Sequence, residues 1–199
     1  MDNQGQSQDQ DQDLIQDEDQ IQKFKVDWTN FHIAPKPLSF KNVLGLLENG
    51  RSVNELVTTD QNKIFSLMKE IFNVVYSEEE MIEVRKLATY VSLALYDEIT
   101  NLSFYFDEKT EIDWGEYPVA PKSMSFGDME VLEENGYSVF NPTVGEDEES
   151  VIPGMVLVFN QVYSESEVEQ IYQYPVIIAM RFFAAIRECS FGGVSSLKN

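Results

Sequence analysis

The sequence predicts a mainly all-α protein in which two tandem copies of a small three-helix unit pack as a pseudo-symmetric pair, each entered through an irregular Pro-containing segment. Three observations support this prediction: an internal repeat, apolar residues at helical spacing, and helix-capping motifs that recur in both copies. The expected organisation is a disordered acidic, Gln-rich tail over 1–22, a first unit over 23–105 and an acidic second unit over 106–199.

The internal repeat is the strongest of these observations. Residues 27–53 and 113–139 share 13 identities in 27 positions at a constant offset of 86. After one inserted residue, 72–80 and 159–167 share 7 identities in 9 positions. An alignment of this length with a single one-residue gap does not arise by chance, so we predict a duplication.

The tail has a composition that disfavours folding. Residues 1–22 contain seven acids, no Lys or Arg, and few sizeable apolar side chains. Such a segment buries too little apolar surface to offset the entropy lost on ordering. We expect a solvated tail, and the alternative is an acidic arm that folds on a basic partner.

Each unit opens with Trp-x-x-Phe/Tyr followed by Ala-Pro-Lys. The two tryptophans of the chain, Trp28 and Trp114, occupy the same place in the two copies. Because Trp supplies so much buried area, we expect both to anchor the core.

Helix 1 is bounded by local signals in both copies. A serine stands at the N-cap position, and Gly50 and Gly136 suit the left-handed position just after a helix. These signals predict helices over 40–48 and 126–134.

Helix 2 follows in the first copy over about 60–75, where apolar residues recur every three or four positions. In the second copy, Pro153 and Gly154 replace a regular start, so we expect that helix to begin late.

Helix 3 begins with the S-x-x-E capping motif at Ser77 and Ser164. It is predicted to continue to about Asn101 in the first copy and Glu188 in the second. Pro175 falls inside the second of these helices, and we expect it to kink or split the helix.

The segment that follows Pro175, over 175–186, is apolar nearly all round. A helix of this kind lies in a core or an interface. It is too short to span a bilayer. Packing against the other copy is one interpretation, and the seam of a homodimer is the alternative.

Acidic residues are unevenly divided between the units. Residues 23–105 hold nine basic and eleven acidic residues, a net charge of −2, whereas residues 106–199 hold five and seventeen, a net charge of −12. The excess indicates either a solubilising face or a surface that binds a basic partner. The candidate partner-binding residues are Asp128, Glu130, Glu133, Glu134, Glu146, Asp147, Glu148 and Glu149.

Residues with catalytic or metal-binding potential are few. His32 is the single histidine and has no neighbouring ligands at metal-binding spacing, so we expect a loop residue. Cys189 lies in an apolar stretch and is expected to be a buried thiol. We expect no catalytic residue, no metal and no cofactor. A carboxylate-based enzyme stays open as an alternative, and it would need a deep pocket lined by two or more acids with raised pKa values.

The composition excludes some classes of partner. The formal net charge is −21, which disfavours direct binding to nucleic acid or to an anionic membrane. A single cysteine and the absence of a signal-like N-terminus favour a cytoplasmic protein.

Besides the enzyme alternative, two functional hypotheses from different classes remain. The first is a non-enzymatic protein-interaction module, in its specific form an acidic inhibitor or DNA mimic that binds a basic, nucleic-acid-binding protein. The second is a structural or assembly protein that self-associates through the apolar helix 175–186.

Overall fold

The computed structural model describes residues 26–57, 60–105, 111–138 and 151–192, and every regular element in these ranges is a helix. The prediction of a mainly all-α protein is therefore confirmed. The predicted tail over 1–22 and the acidic loop residues Glu146, Asp147, Glu148 and Glu149 lie outside the described residues.

The helices divide between an N-terminal half, 26–105, and a C-terminal half, 111–192. In the N-terminal half, a 3₁₀ turn at Trp28–Asn30 precedes the helices α1 (Phe40–Glu48), α2 (Val53–Leu56), α3 (Gln61–Val75), α4 (Glu78–Val84) and α5 (Thr89–Phe104). In the C-terminal half, a 3₁₀ turn at Trp114–Glu116 precedes α6 (Phe126–Glu134), α7 (Val151–Val162), α8 (Glu165–Ile171) and α9 (Val176–Phe191).

The bounds predicted for helix 1 are confirmed in both halves, where it corresponds to α1 and α6. Ser39 and Ser125 cap the two helices through capping boxes. Gly50 and Gly136 follow the helices with φ of 83° and 79°, a left-handed conformation that glycine adopts without a steric penalty. Helix 2 of the first copy is also confirmed, as α3.

The prediction of a single helix 3 in the first copy is wrong. The chain forms α4, turns through 85–88 and then forms α5, so the predicted three-helix unit is not what either half contains. Ala88 has φ −62° and ψ 150°, an extended conformation that ends the helical path. The split predicted at Pro175 is confirmed, and its φ and ψ of −48° and 140° resemble those of Ala88. Both halves turn at this place, although only one has a proline there.

Helix 2 of the second copy is α7, which the structure describes from Val151; residues 139–150 before it lie outside the described residues, so its expected late start stays a prediction. Pro153 lies in the first turn, where backbone N–H groups have no intrahelical acceptor, and a proline there sacrifices no hydrogen bond. Gly154 is needed for packing, since a Cβ at this position would lie 2.3 Å from Cε2 of Tyr137.

One continuous apolar core joins the two halves. α9 lies at its centre and packs against α1 and α5 of the N-terminal half and α7 of its own half. Trp28 and Trp114 are half-buried against this core, so both contact it as predicted, although neither is fully enclosed. The ring centroid of Trp114 lies 5.4 Å from that of Phe182 on α9.

Candidate interaction surface

The two halves meet where the start of α1 contacts the turn between α8 and α9. We call this contact the junction: Leu38–Lys41 against Tyr172–Val176. Its main chains pair like two short antiparallel strands, with a bridge between Ser39 and Pro175. The main-chain N–H groups of Phe40 and Lys41 donate to the carbonyls of Tyr174 and Tyr172, at 2.8 and 2.9 Å. The N–H of Val176 donates in return to the carbonyl of Leu38, at 2.9 Å.

The side chain of Phe40 fills the junction. It is 0% exposed, and its ring centroid lies 5.7 Å from that of Phe159 and 5.6 Å from that of Tyr172. Aromatic contacts of this geometry add to the burial term in stabilising a core. At the rim, Nζ of Lys41 lies 3.6 Å from a carboxylate oxygen of Glu169. The junction is therefore an apolar interface with a polar rim.

The residue that corresponds to Phe40 in the repeat is Phe126, and its environment is the opposite. Phe126 also begins a helix after a capping serine, yet it is 71% exposed. Gly127 beside it is exposed as well. We call this surface the α6 edge: Met124–Gly127 together with Glu130, Glu133 and Glu134. Within the described residues, the α6 edge makes no junction like that of α1.

The acids predicted on this helix have two different roles. Asp128 accepts hydrogen bonds from the main-chain N–H and Oγ of Ser125, both at 2.7 Å, and from Nε2 of Gln161, at 3.0 Å. Burial opposes ionisation of Asp128, but the hydrogen bonds from Gln161 and Ser125 outweigh it and lower its pKa. Asp128 therefore acts as a capping residue of α6, and its binding to a partner stays a prediction.

Glu130, Glu133 and Glu134 are exposed on α6. They lie four, seven and eight positions after Phe126, so all four side chains share one face of the helix. In α1, the positions that correspond to Glu130 and Glu133 hold Leu44 and Leu47, which are half-buried against the core. α6 thus carries carboxylates where α1 carries packing side chains.

Sequence reasoning missed Phe126 because an aromatic residue shared by both copies indicates a common core position. The replacement of Leu44 and Leu47 by glutamates on the same face was the available signal that the environment had changed. It also missed the turn at 85–88, where no proline or glycine marks the end of α4.

A shallow cleft of about 290 Å³ lies beside this turn in the N-terminal half, between the 3₁₀ segment and α5. Its titratable lining includes His32, Glu83 and Lys86. Lys86 donates to Glu83 at 2.6 Å, and this bond lowers the pKa of Glu83. The residue of the C-terminal half that corresponds to Leu87 of the cleft is Tyr174. Its hydroxyl accepts a hydrogen bond from the main-chain N–H of Val119 and donates one to the carbonyl of Val119. The lining of this cleft contains one carboxylate, Glu83, and its pKa is lowered. The enzyme alternative instead predicts a pocket lined by two or more acids with raised pKa values.

His32 is an exposed loop residue, as expected. Cys189 is exposed on α9, so the prediction of a buried thiol is wrong. Among the described residues, no group of three or more His, Cys, Asp or Glu side chains could hold a metal ion. No helix in the described ranges is long and apolar enough to cross a membrane.

In comparisons with known proteins, no family model matches the chain, and neither a curated protein nor a solved structure is significantly similar to it.

Proposed function

We propose that this chain is a non-enzymatic protein-interaction module, made of two related helical units, that binds a protein partner through the α6 edge. The observation that supports this most directly is the contrast between Phe40, which is fully buried, and Phe126, which is 71% exposed. Phe126 occupies the position that Phe40 uses to contact the other half, and an exposed aromatic side chain of this kind is typical of a binding surface.

Matching contacts in the two halves support the relatedness of the units. Tyr76 and Tyr163 each donate a hydroxyl hydrogen bond to an Ala carbonyl in the opening segment, at 2.9 and 3.3 Å. Ser103 and Ser190 each accept from a main-chain N–H just before the first helix, at 2.7 and 2.9 Å. Such paired contacts are expected when one ancestral fold has been duplicated.

The charge of the α6 edge indicates the chemistry of the partner. Glu130, Glu133 and Glu134 are exposed and follow Phe126 on the helix face that they share. A partner with basic residues around an apolar contact complements this face, and charge complementarity speeds association and rejects acidic competitors. The inhibitor or DNA-mimic form of this proposal needs the same face, with a nucleic-acid-binding protein as the basic partner.

Self-association through the apolar helix 175–186 is the weaker alternative. Val176, Ile178, Ala179, Phe182, Phe183 and Ile186 are all buried within the chain. Met180, at 40% exposure, is the one large apolar side chain of this helix on the surface. Little of the helix is therefore accessible to a second chain.

Site-specific photo-crosslinking in the source cells tests the proposal. A photoreactive phenylalanine analogue replaces Phe126 in one version and Phe65 in the control, because Phe65 on α3 is 77% exposed and matches Phe126 in type. We expect a crosslinked protein at position 126 and none at 65. The triple variant Glu130→Lys, Glu133→Lys, Glu134→Lys should abolish the product. Equal crosslinking at both positions, or none at 126, contradicts the proposal.

A further inference from the structure

The surface that α1 contacts within the chain has a counterpart that the chain leaves exposed. It is the turn between α4 and α5, Arg85–Thr89, which corresponds to Tyr172–Val176 in the repeat. We propose that the partner of the α6 edge is a second copy of this chain, docked head to tail: the α6 edge of one copy binds the α4–α5 turn of the next. This inference rests on the proposed function and specifies its partner.

The backbone of the α4–α5 turn matches that of the turn at the junction. Arg85 and Tyr172 have φ of −66° each and ψ of −17° and −19°. Ala88 and Pro175 are both extended residues that precede a 16-residue helix. The surfaces that contact these turns also match: Ser39 before α1 and Ser125 before α6 have φ of −73° and −77° and ψ of 161° and 166°. Both partners of the junction are therefore present twice in the chain.

The same three main-chain hydrogen bonds can form between copies. The N–H groups of Phe126 and Gly127 would donate to the carbonyls of Leu87 and Arg85, and the N–H of Thr89 would donate to the carbonyl of Met124. Within the described part of the chain, none of these three bonds is formed. Phe126, Gly127 and Thr89 are exposed, so a second copy can reach them.

The charges of the two surfaces are complementary. Arg85 and Lys86, both exposed, replace Tyr172 and Gln173 of the junction. On the α6 edge, Glu130 and Glu133 replace Leu44 and Leu47. Lys86 also pairs with Glu83 within the chain, so Arg85 is the main positive charge that this surface offers to the glutamates of the α6 edge. Arg85 takes the place of the ring that contacts Phe40, and a guanidinium is a favourable neighbour for an aromatic ring.

Docking of this kind differs from a two-fold dimer. The two contacting surfaces are not the same, so each copy keeps one surface open after the first contact, and association leads to a ring or an open filament. The net charge of −21 opposes this growth. We therefore expect weak association that is strongest near 0.1 M salt, where the Debye length of about 10 Å screens distant charges but not contact pairs.

Sedimentation of the full chain tests the inference. Samples span about 10 µM to about 1 mM, a range that covers weak contacts. We expect the weight-average mass of the wild type to rise at least twofold above the monomer mass of 22.9 kDa. Phe126→Ser alone, and Arg85→Glu with Lys86→Glu, should each stay at the monomer mass. Phe65→Ser is the matched control and should associate like the wild type.

Mixing the two defective variants separates head-to-tail docking from other modes. Phe126→Ser keeps an intact α4–α5 turn, and the Arg85→Glu, Lys86→Glu variant keeps an intact α6 edge. Their mixture should reach the dimer mass and no more. A mixture that stays monomeric, or a Phe65→Ser variant that fails like Phe126→Ser, overturns the inference.

The outcomes also distinguish this inference from the proposed function. A wild type that stays monomeric at about 1 mM overturns head-to-tail docking. If position 126 still crosslinks a different protein in cells, the interaction module stands with another partner. If position 126 crosslinks nothing, both proposals fail.

Discussion

The same substitution at Phe40 and Phe126 should have very different effects on the free energy of unfolding. Phe40 is fully enclosed and touches two aromatic rings, whereas Phe126 is 71% exposed. Replacing a buried Phe by Ala typically destabilises a protein by about 3–5 kcal/mol, because transfer energy is lost and a cavity remains. Replacement on the surface usually changes stability by about 0.5 kcal/mol or less. We therefore expect a difference of about 2.5 kcal/mol or more between Phe40→Ala and Phe126→Ala.

Urea unfolding followed by tryptophan fluorescence measures this difference, since each half contains one tryptophan. With a urea dependence of about 2 kcal/mol per molar, Phe40→Ala should lower the midpoint by roughly 1.5–2.5 M, and Phe126→Ala should leave it nearly unchanged. Micromolar protein and high salt keep association out of the measurement. If Phe40→Ala does not fold, Phe40→Leu provides a milder test of the same site.

Similar midpoints for the two alanine variants would refute the reasoning. That result would mean that the junction contributes little to stability, or that the two phenylalanines have equivalent environments. It would also remove the main support for an accessible α6 edge.

Three further predictions follow from local geometry. Gly154→Ala should destabilise the chain by about 1–3 kcal/mol, since the new Cβ would clash with the Tyr137 ring. Gly45→Ala places its Cβ in open space on α1 and should stabilise the chain by about 0.4–1 kcal/mol. The same urea titration measures both changes. Ser77→Ala should lose about 1 kcal/mol, because Ser77 Oγ accepts from the N–H at the third position of α4, and circular dichroism during thermal unfolding would detect the loss. Burial raises the pKa of Tyr163 to about 12, whereas an unfolded tyrosine ionises near 10. The contribution of Tyr163 to the free energy of unfolding should therefore be intact below pH 10 and be lost from about pH 10 to 12. The free energy of unfolding should fall less steeply over this interval in Tyr163→Phe. A flat profile of the wild type over the same interval would contradict the raised pKa.

Much of the fold was predictable because its signals are local. The capping serines and the glycines that follow α1 and α6 specify both ends of each helix through contacts a few residues apart. The turn at 85–88 was not predictable in this way. Ala88 is a good helix former, yet it adopts an extended conformation that its own helix preference does not predict.

The candidate surface was only partly predictable for a related reason. Charge counting directed attention to the acids of α6, but it could not separate Asp128, which caps the helix, from Glu130 and Glu133, which face solvent. Phe126 is exposed because α1, and not α6, contacts a turn of the other half in the part of the chain that the structure describes. This difference depends on contacts between distant parts of the chain, which the residues around Phe126 in the sequence do not indicate. Cys189 illustrates the same limit, because an apolar neighbourhood in sequence did not place it inside the core.

The bridge between Ser39 and Pro175 has a consequence for the order of folding during synthesis. A ribosome delivers the N-terminal half first, so Phe40 lacks its aromatic contacts until Phe159 on α7 and Tyr172 after α8 have left the exit tunnel. Contacts between such distant parts of a chain form slowly, because a large loop must close before they stabilise anything. A nascent chain therefore carries an uncovered aromatic site for most of its synthesis, and arrival of α9 determines when the first half is complete.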